Sequence, residues 1–449
     1  GGCLLTDNFN WGAQMTAYMS RPPDPAIRDD WRARWLERIE RMPFLAADWL
    51  RRPARDDYWR HGSVCEDWSA IDTPTLAIGG WNDAYVNAPF ALAENAAGPV
   101  KALVGPWEHK YPHLSRILPS DLHGEALRWF GRFLGGRETG AEALPDLRFW
   151  LSEHGRAPTP RYGPRDGRWA AEAAWPSANI RERAFSLGPE GLGETPETGE
   201  VPVLTALTVG RSAGYFCPGM RIDNELSADQ AGDDARSVCF DGAPLETEME
   251  ILGRPEVEIA FRVDRPAAQI MARLCDVGPD GASQRVTYRP INLAHLSGHE
   301  APRALTPGET SRARNSLNAC GHRFRPGHRI RLALSTSYWP VIWPSPEAAT
   351  VTLDLAGCRL ILPERHGDAA LDPQAPGPAR RFPTLAADIV REQRGESTSR
   401  VEADGTSVLE TYDDFGMIRR ADHGLETGHV VRQRFAIREG DPLSARHEA

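Results

Sequence analysis

Two short stretches carry residue types in an order that could do hydrolytic chemistry. One is Trp81-Asn82-Asp83, which follows Gly79-Gly80, and the other is Trp107-Glu108-His109, which follows Gly105-Pro106. A carboxylate beside an imidazole fixes its tautomer and stabilises it once protonated. The imidazole can then take the proton of a hydroxyl nucleophile and return it to the leaving group. Acid before histidine is also the order of the last two members of a Ser, Asp, His triad built on a parallel sheet. Taken singly, Asp83 reads as a turn acid and His109 as a half-buried histidine. Their occurrence on successive loops is what points to a triad.

Such loops need strands and helices behind them, and the surrounding pattern supplies these. The run Thr75-Leu76-Ala77-Ile78 reads as a strand, followed by a helix over about residues 86–97 that Gly98-Pro99 breaks. A second strand, residues 100–104, ends at Gly105-Pro106. A helix follows that Ser120 or Asp121 can cap, with Leu122, Ala126, Trp129, Phe130, Phe133 and Leu134 on one side and Gly135-Gly136 as its stop. This βαβα unit predicts a parallel sheet, whose active-site loops leave the C-terminal ends of the strands.

Upstream, residues 24–42 read as an amphipathic helix with Ile27, Trp31, Trp35, Ile39 and Met42 at helical spacing, and Trp49, Trp59 and Trp68 follow. This aromatic row is expected to pack in a core, within a helical cap over residues 20–72. Past about residue 141 the period becomes two, as in residues 257–263, 269–274, 328–334 and 351–355, with Gly278-Pro279-Asp280-Gly281 and Pro326-Gly327 as turns. The expected architecture is α/β plus all-β: an α/β portion over 1–140, then a jelly-roll β-sandwich over 141–375. Residues 376–449 are polar, with Arg380-Arg381 and Tyr412-Asp413-Asp414, and are expected to form a separate appendage.

The motifs resemble those of a known family. Gly79-Gly80-Trp81-Asn82-Asp83 and Gly105-Pro106-Trp107-Glu108-His109 are similar to the acid and histidine motifs of the cocaine-esterase and Xaa-Pro dipeptidyl-peptidase family of serine hydrolases. The resemblance continues through Leu274-Cys275-Asp276-Val277 and Phe324-Arg325-Pro326-Gly327-His328-Arg329-Ile330, and covers residues 1 to about 365. It implies the C-terminal portion of an α/β-hydrolase domain, a jelly roll, Asp83 and His109 as catalytic residues, and a substrate pocket touching Trp81, Tyr85 and Trp107. It implies no metal or organic cofactor. The opening segment resembles the part of such enzymes that follows the nucleophile, so the serine is expected upstream of Gly1 and this stretch alone is expected not to turn over substrate.

Other candidates weigh less. Gly210-Arg211-Ser212-Ala213-Gly214 is a G-x-S-x-G, but Ser212 follows the histidine in sequence and precedes Tyr215-Phe216-Cys217-Pro218, with no elbow helix. His113 could replace His109 but lies outside the motif. His295 and His299 have a spacing that could chelate a metal on a helix, yet Gly298 and strand-like surroundings favour a loop pair.

The chain of 449 residues is long enough for two or three domains, and no apolar run approaches bilayer length. A net charge of −10 argues against nucleic acid, and seven scattered cysteines without a C-x-x-C pair suggest a reducing cytoplasm. The expected reading is hydrolysis of a small ester or a peptide through an acyl-enzyme, with neither nucleic acid nor membrane as partner. Self-association is expected through the exposed sheet edge. The alternative is a non-catalytic jelly-roll binding protein, which leaves the paired Asp and His loops unexplained.

Overall fold

The computed structural model describes residues 2–155, 158–367, 371–380, 382 and 386–449. Gly1 and Arg381, both noted in the sequence, lie outside the described residues. The chain opens with four helices: α1 (Asp7–Met19), α2 (Trp31–Arg41), α3 (Leu45–Leu50) and α4 (Asp57–Arg60). The βαβα unit follows as β1 (Thr75–Asn82), α5 (Ala88–Asn95), β2 (Val100–Glu108) and α6 (Leu122–Phe133). Pro89 sits in the first turn of α5, where its missing N–H costs nothing. Asp121 caps α6 by accepting from the Gly124 N–H at 2.9 Å, and Gly136, at φ +63°, stands just beyond its end.

β1 and β2 run parallel in register from Thr75 opposite Val100 to Gly80 opposite Gly105. A third parallel strand, β3 (Leu147–Glu153), pairs with β2 from Ala102 opposite Leu147. Its Arg148 is fully buried and ion-paired with Glu125 of α6 at 2.6 Å, which ties helix to sheet. The sheet does not end there. After β4 (Gly167–Glu172), β5 (Ile180–Gly188), β6 (Gly191–Gly193) and β7 (Glu200–Val203) come the short helix α7 (Ala231–Asp234) and β8 (Val238–Asp241). They are followed by β9 (Met249–Gly253), β10 (Glu256–Val263), β11 (Gln269–Val277), β12 (Ser283–Asn292), β13 (Ser311–Ser316), β14 (Cys320–Phe324), β15 (Arg329–Ser335) and β16 (Val351–Arg365).

One sheet runs β1-β2-β3-β14-β9-β16-β10-β13, so the parallel strands join one layer of the sandwich edge to edge. That junction is short: β3 and β14 pair only at Ser152 opposite His322 and Glu153 opposite Arg323. The second layer is β12-β11-β15-β8. Apolar side chains such as Phe261, Ile270, Leu332 and Leu360 fill the space between the layers. All nine residues of β11 are buried, including Arg273 and Asp276, so those two charges must find partners inside.

The stretch past Pro376, expected as a separate appendage, is not without regular structure. Its strands β17 (Ala387–Arg391), β18 (Arg394–Val401), β19 (Thr406–Arg420), β20 (Glu426–Arg438) and β21 (Asp441–Glu448) form an antiparallel sheet. Phe435 and Ile437 of that sheet pack with Trp339, and Asp413 pairs with the buried Arg221 at 2.7 Å. The alternation is masked in sequence because charged residues populate its outer face. Nor does the aromatic row upstream form a core. α2 starts at Trp31, seven residues past Asp24, and none of its residues is buried, while Ile27 is 78% exposed.

Candidate active site

β1 and β2 end side by side and carry the acid and the histidine. The two strand ends approach so closely that a Cβ on Gly80 would lie 2.2 Å from the Trp107 carbonyl oxygen, which accounts for the Gly-Gly pair before the acid. Asp83 then closes a small turn: its Oδ1 accepts from the Tyr85 N–H at 2.9 Å. Its Oδ2 lies 3.0 Å from His109 Nδ1. The acid is mostly sheltered and the imidazole is not, with side-chain exposures of 16% and 38%. The hydrogen bond that His109 donates to Asp83 holds the His109 pKa above its ordinary value, against the opposing effect of burial. Nδ1 engaged by a carboxylate leaves Nε2 as the nitrogen able to take a proton.

The histidine's backbone is held from the sandwich side. His109 N–H donates to the Pro218 carbonyl at 2.7 Å, and Gly219, at φ +116°, packs so closely that a Cβ there would lie 2.7 Å from the His109 oxygen. The buried Glu225 accepts from the N–H groups of Gly219 (3.0 Å) and Met220 (2.9 Å). Arg116 bridges Glu225 at 3.3 Å to Glu108 at 3.4 Å, the latter immediately before His109.

Of the residues the sequence singled out, Trp81 lines a cleft of about 340 Å³ together with Asp83, and its indole donates to the Trp150 carbonyl at 2.6 Å. Tyr85 is 63% exposed, with its ring centroid 5.5 Å from that of His109. Trp107 is not brought to the cleft. It is 1% exposed, donates to the Leu118 carbonyl at 2.8 Å and packs against Trp169, so its place is in the core. His113 makes ring contacts with Tyr111 and His123, and its Nδ1 has no hydrogen-bond partner among the described residues, so Asp83 engages His109 instead. Ser212 lies in a turn between Gly210 and Gly214, both at positive φ, and its N–H donates to Asp233 at 2.8 Å. Neither a strand before it nor a helix after it makes an elbow. His295 and His299 do meet, Nδ1 to Nδ1 at 3.0 Å, at a 3-10 turn rather than along a helix.

Sequence reasoning missed two groups close to the pair. Cys217 brings its sulfur within 4.8 Å of ligand atoms of Asp83 and His109, and burial pushes its thiol well up, so it stays protonated. Asp7, at the start of α1, has its carboxyl raised to about 7 by burial and by Glu225, with His109 acting the other way. Neither stands in a recognisable motif.

An acid and a histidine at the ends of parallel strands, in a sheet continuous with a β-sandwich, define an α/β hydrolase joined to a sandwich domain. Comparison with known proteins gives the family. Residues 1–111 match the X-Pro dipeptidyl-peptidase (S15 family), and residues 139–378 match the X-Pro dipeptidyl-peptidase C-terminal non-catalytic domain. The chain belongs to this family, whose members are serine hydrolases. It is 22% identical to the cocaine esterase of Rhodococcus sp. over 67% of this chain and 54% of that protein. It is 24% identical to a putative Xaa-Pro dipeptidyl-peptidase of Streptomyces avermitilis over 70% of this chain and 50% of that protein. The crystal structure of an aminopeptidase from a marine sediment Thaumarchaeota archaeon superposes with a TM-score of 0.60 at 15% identity, covering 81% of this chain and 64% of that one, a likeness of fold. The chain thus spans about half the length of these two curated relatives.

Proposed function

We propose that this chain supplies the general base and its orienting acid to a serine hydrolase that cleaves a small ester or a peptide through an acyl-enzyme. The observation that carries the reading is the 3.0 Å contact between Asp83 Oδ2 and His109 Nδ1 on adjacent strand-end loops. In the first half-reaction His109 Nε2 takes the serine hydroxyl proton as the oxygen bonds to the substrate carbonyl carbon. The same proton passes to the departing alcohol or amine as its bond breaks. Water then repeats the sequence on the acyl-enzyme and releases the acid. Asp83 keeps Nδ1 protonated throughout and offsets the charge on the imidazolium.

We assign the serine to that part of the family's hydrolase region which these residues do not include. The half-length match to the relatives supports this, as does the absence of an elbow around Ser212. Trp81 and Tyr85 are placed as substrate-facing aromatics, and residues 20–72 as a helical cap. The names of the relatives favour either a carboxylic ester or an Xaa-Pro peptide as substrate. The test is fluorophosphonate labelling of the full-length protein beside this chain, followed by turnover of an aryl ester and an Ala-Pro anilide. Labelling of the full-length protein alone, lost in His109→Ala, is expected. Labelling of Ser212, or unaltered turnover in His109→Ala, would overturn the assignment.

A further inference from the structure

The charge buried on β11 points to a second site, away from the Asp83 and His109 pair. Asp276 is fully buried, and three histidines from three other places in the chain converge on it. His328, in the turn before β15, donates from Nδ1 to Oδ1 at 2.8 Å, and His322 of β14 donates from Nε2 to Oδ2 at 2.7 Å. His154, just past the end of β3, brings its Nδ1 to 3.8 Å from Oδ1, too far for a hydrogen bond. That Nδ1 is buried without a hydrogen-bond partner, on a residue only 6% exposed. One donor atom each from His154, Asp276 and His328 fall within 4.8 Å of one another.

A hydrogen-bond network alone explains His322 and His328 but leaves His154 aimed at a carboxylate it does not reach, at the cost of an unsatisfied buried nitrogen. A cation of about 2.0–2.2 Å bond length, placed among three such donors, takes the place of the proton between His328 and Asp276, which leaves to solvent, removes that cost and neutralises the buried carboxylate. Two imidazoles and one carboxylate suit zinc rather than magnesium or calcium, which prefer all-oxygen sets.

We propose that His154, Asp276 and His328 bind one zinc-class divalent cation, with His322 hydrogen-bonded to the far carboxylate oxygen as the group that orients it. The location gives the ion a structural role. His154 follows β3, the strand next to the parallel pair, whereas Asp276, His322 and His328 lie on or beside β11, β14 and β15, and β3 and β14 pair at only two positions. The ion staples β3 to the strands of the sandwich where their ladder is short. Its entry route is the cleft, since His322, Ser152 and Glu153 line that cavity.

The test uses the untagged 449-residue chain, stripped with a chelator and titrated with zinc against a chromophoric competitor, and in parallel with cobalt(II). One zinc per chain and the visible absorption of a four-coordinate cobalt site are expected. His154→Gln, which removes the imidazole whose Nδ1 lacks a hydrogen-bond partner, should abolish both while the metal-free melting curve stays close to the parent's. His322→Ala should weaken binding by about 10–100-fold. His299→Ala, which breaks the contact with His295, should leave the stoichiometry at one. Zinc should also raise the melting temperature of the parent but not of His154→Gln. Lack of a four-coordinate cobalt spectrum in the unmutated chain, or uptake by His154→Gln equal to the parent's, would overturn the proposal. Both readouts are independent of hydrolytic activity.

Discussion

Replacing Asp83 by Asn tests the acid and base assignment most directly, because the geometry states what the substitution keeps and what it reverses. Asp83 Oδ1 holds the Tyr85 N–H at 2.9 Å, and an amide oxygen can go on doing so. That leaves the new NH₂ facing His109 Nδ1, where the carboxylate oxygen stands at 3.0 Å. A donor facing Nδ1 makes that nitrogen the acceptor and puts the ring proton on Nε2, the atom that must be free to accept one. The lost charge-assisted hydrogen bond is worth about 1.5–3 kcal/mol, and the 38% exposure of the imidazole places this pair toward the low end. The tautomer reversal is the larger effect. Together they should lower kcat by about 10⁴-fold, or about 5 kcal/mol. The assay is ester turnover by the full-length protein across pH. Since Asp83 raises the His109 pKa, activity in the parent should rise with pH through a limb above the ordinary histidine value of 6.5, and in Asp83→Asn that limb should move down. A loss below about tenfold, or an unmoved limb, would refute the reasoning.

Three further substitutions probe the frame. Arg148→Met leaves Glu125 buried without its partner and should destabilise the chain by about 3–5 kcal/mol in denaturant titration. Asp7 binds its proton more tightly when folded, so the stability it contributes is full below the ordinary carboxylate value and is lost as pH rises through about 7. The melting temperature should fall over that interval in the parent, and Asp7→Asn should remove that part of the slope. Gly219→Ala puts a methyl group 2.7 Å from the His109 carbonyl oxygen at φ +116°. Through a shift of the histidine of the order of 1 Å it should cost about 10²-fold in kcat, with the substrate preference unchanged.

The meeting of Asp83 and His109 was legible because its signal is local. Gly80 is forced by the approach of two strand ends, Asp83 by the turn it closes, and His109 by its place at the end of the next strand. The parallel unit and the long strands of the sandwich were legible for the same reason, through periodicity. What stayed hidden depends on contacts between distant segments. Trp107 and Trp81 occupy matching places in their motifs, yet one ring turns into the core against Trp169 and the other faces the cleft, and the sequence holds no sign of the difference. The sheet over residues 387–448 was missed because charged side chains cover the outward face of its strands, hiding the alternation that Phe435 and Ile437 carry inward. Asp276 and His328 lie in quotable motifs, but His154 does not, and only the fold brings it to them.

The sandwich carries the label of a non-catalytic domain, but its segment 215–225 fixes the backbone of His109, the proposed base. The Pro218 carbonyl receives the His109 N–H, and Gly219 leaves no room for that backbone to retreat. Glu225 clamps the same turn through the Gly219 and Met220 N–H groups. This carboxylate is itself fully buried, which raises its pKa, and it remains useful as an anchor only because Tyr162, Arg116 and the backbone N–H groups surround it. Arg116 then links it to Glu108, the residue before the histidine, so the loop is gripped from both ends of one network. A base held to fractions of an ångström needs such support from elements that do not move with its own loop. That support comes here from the sandwich, so on the proposed reading removing it should abolish catalysis even where the α/β part still folds.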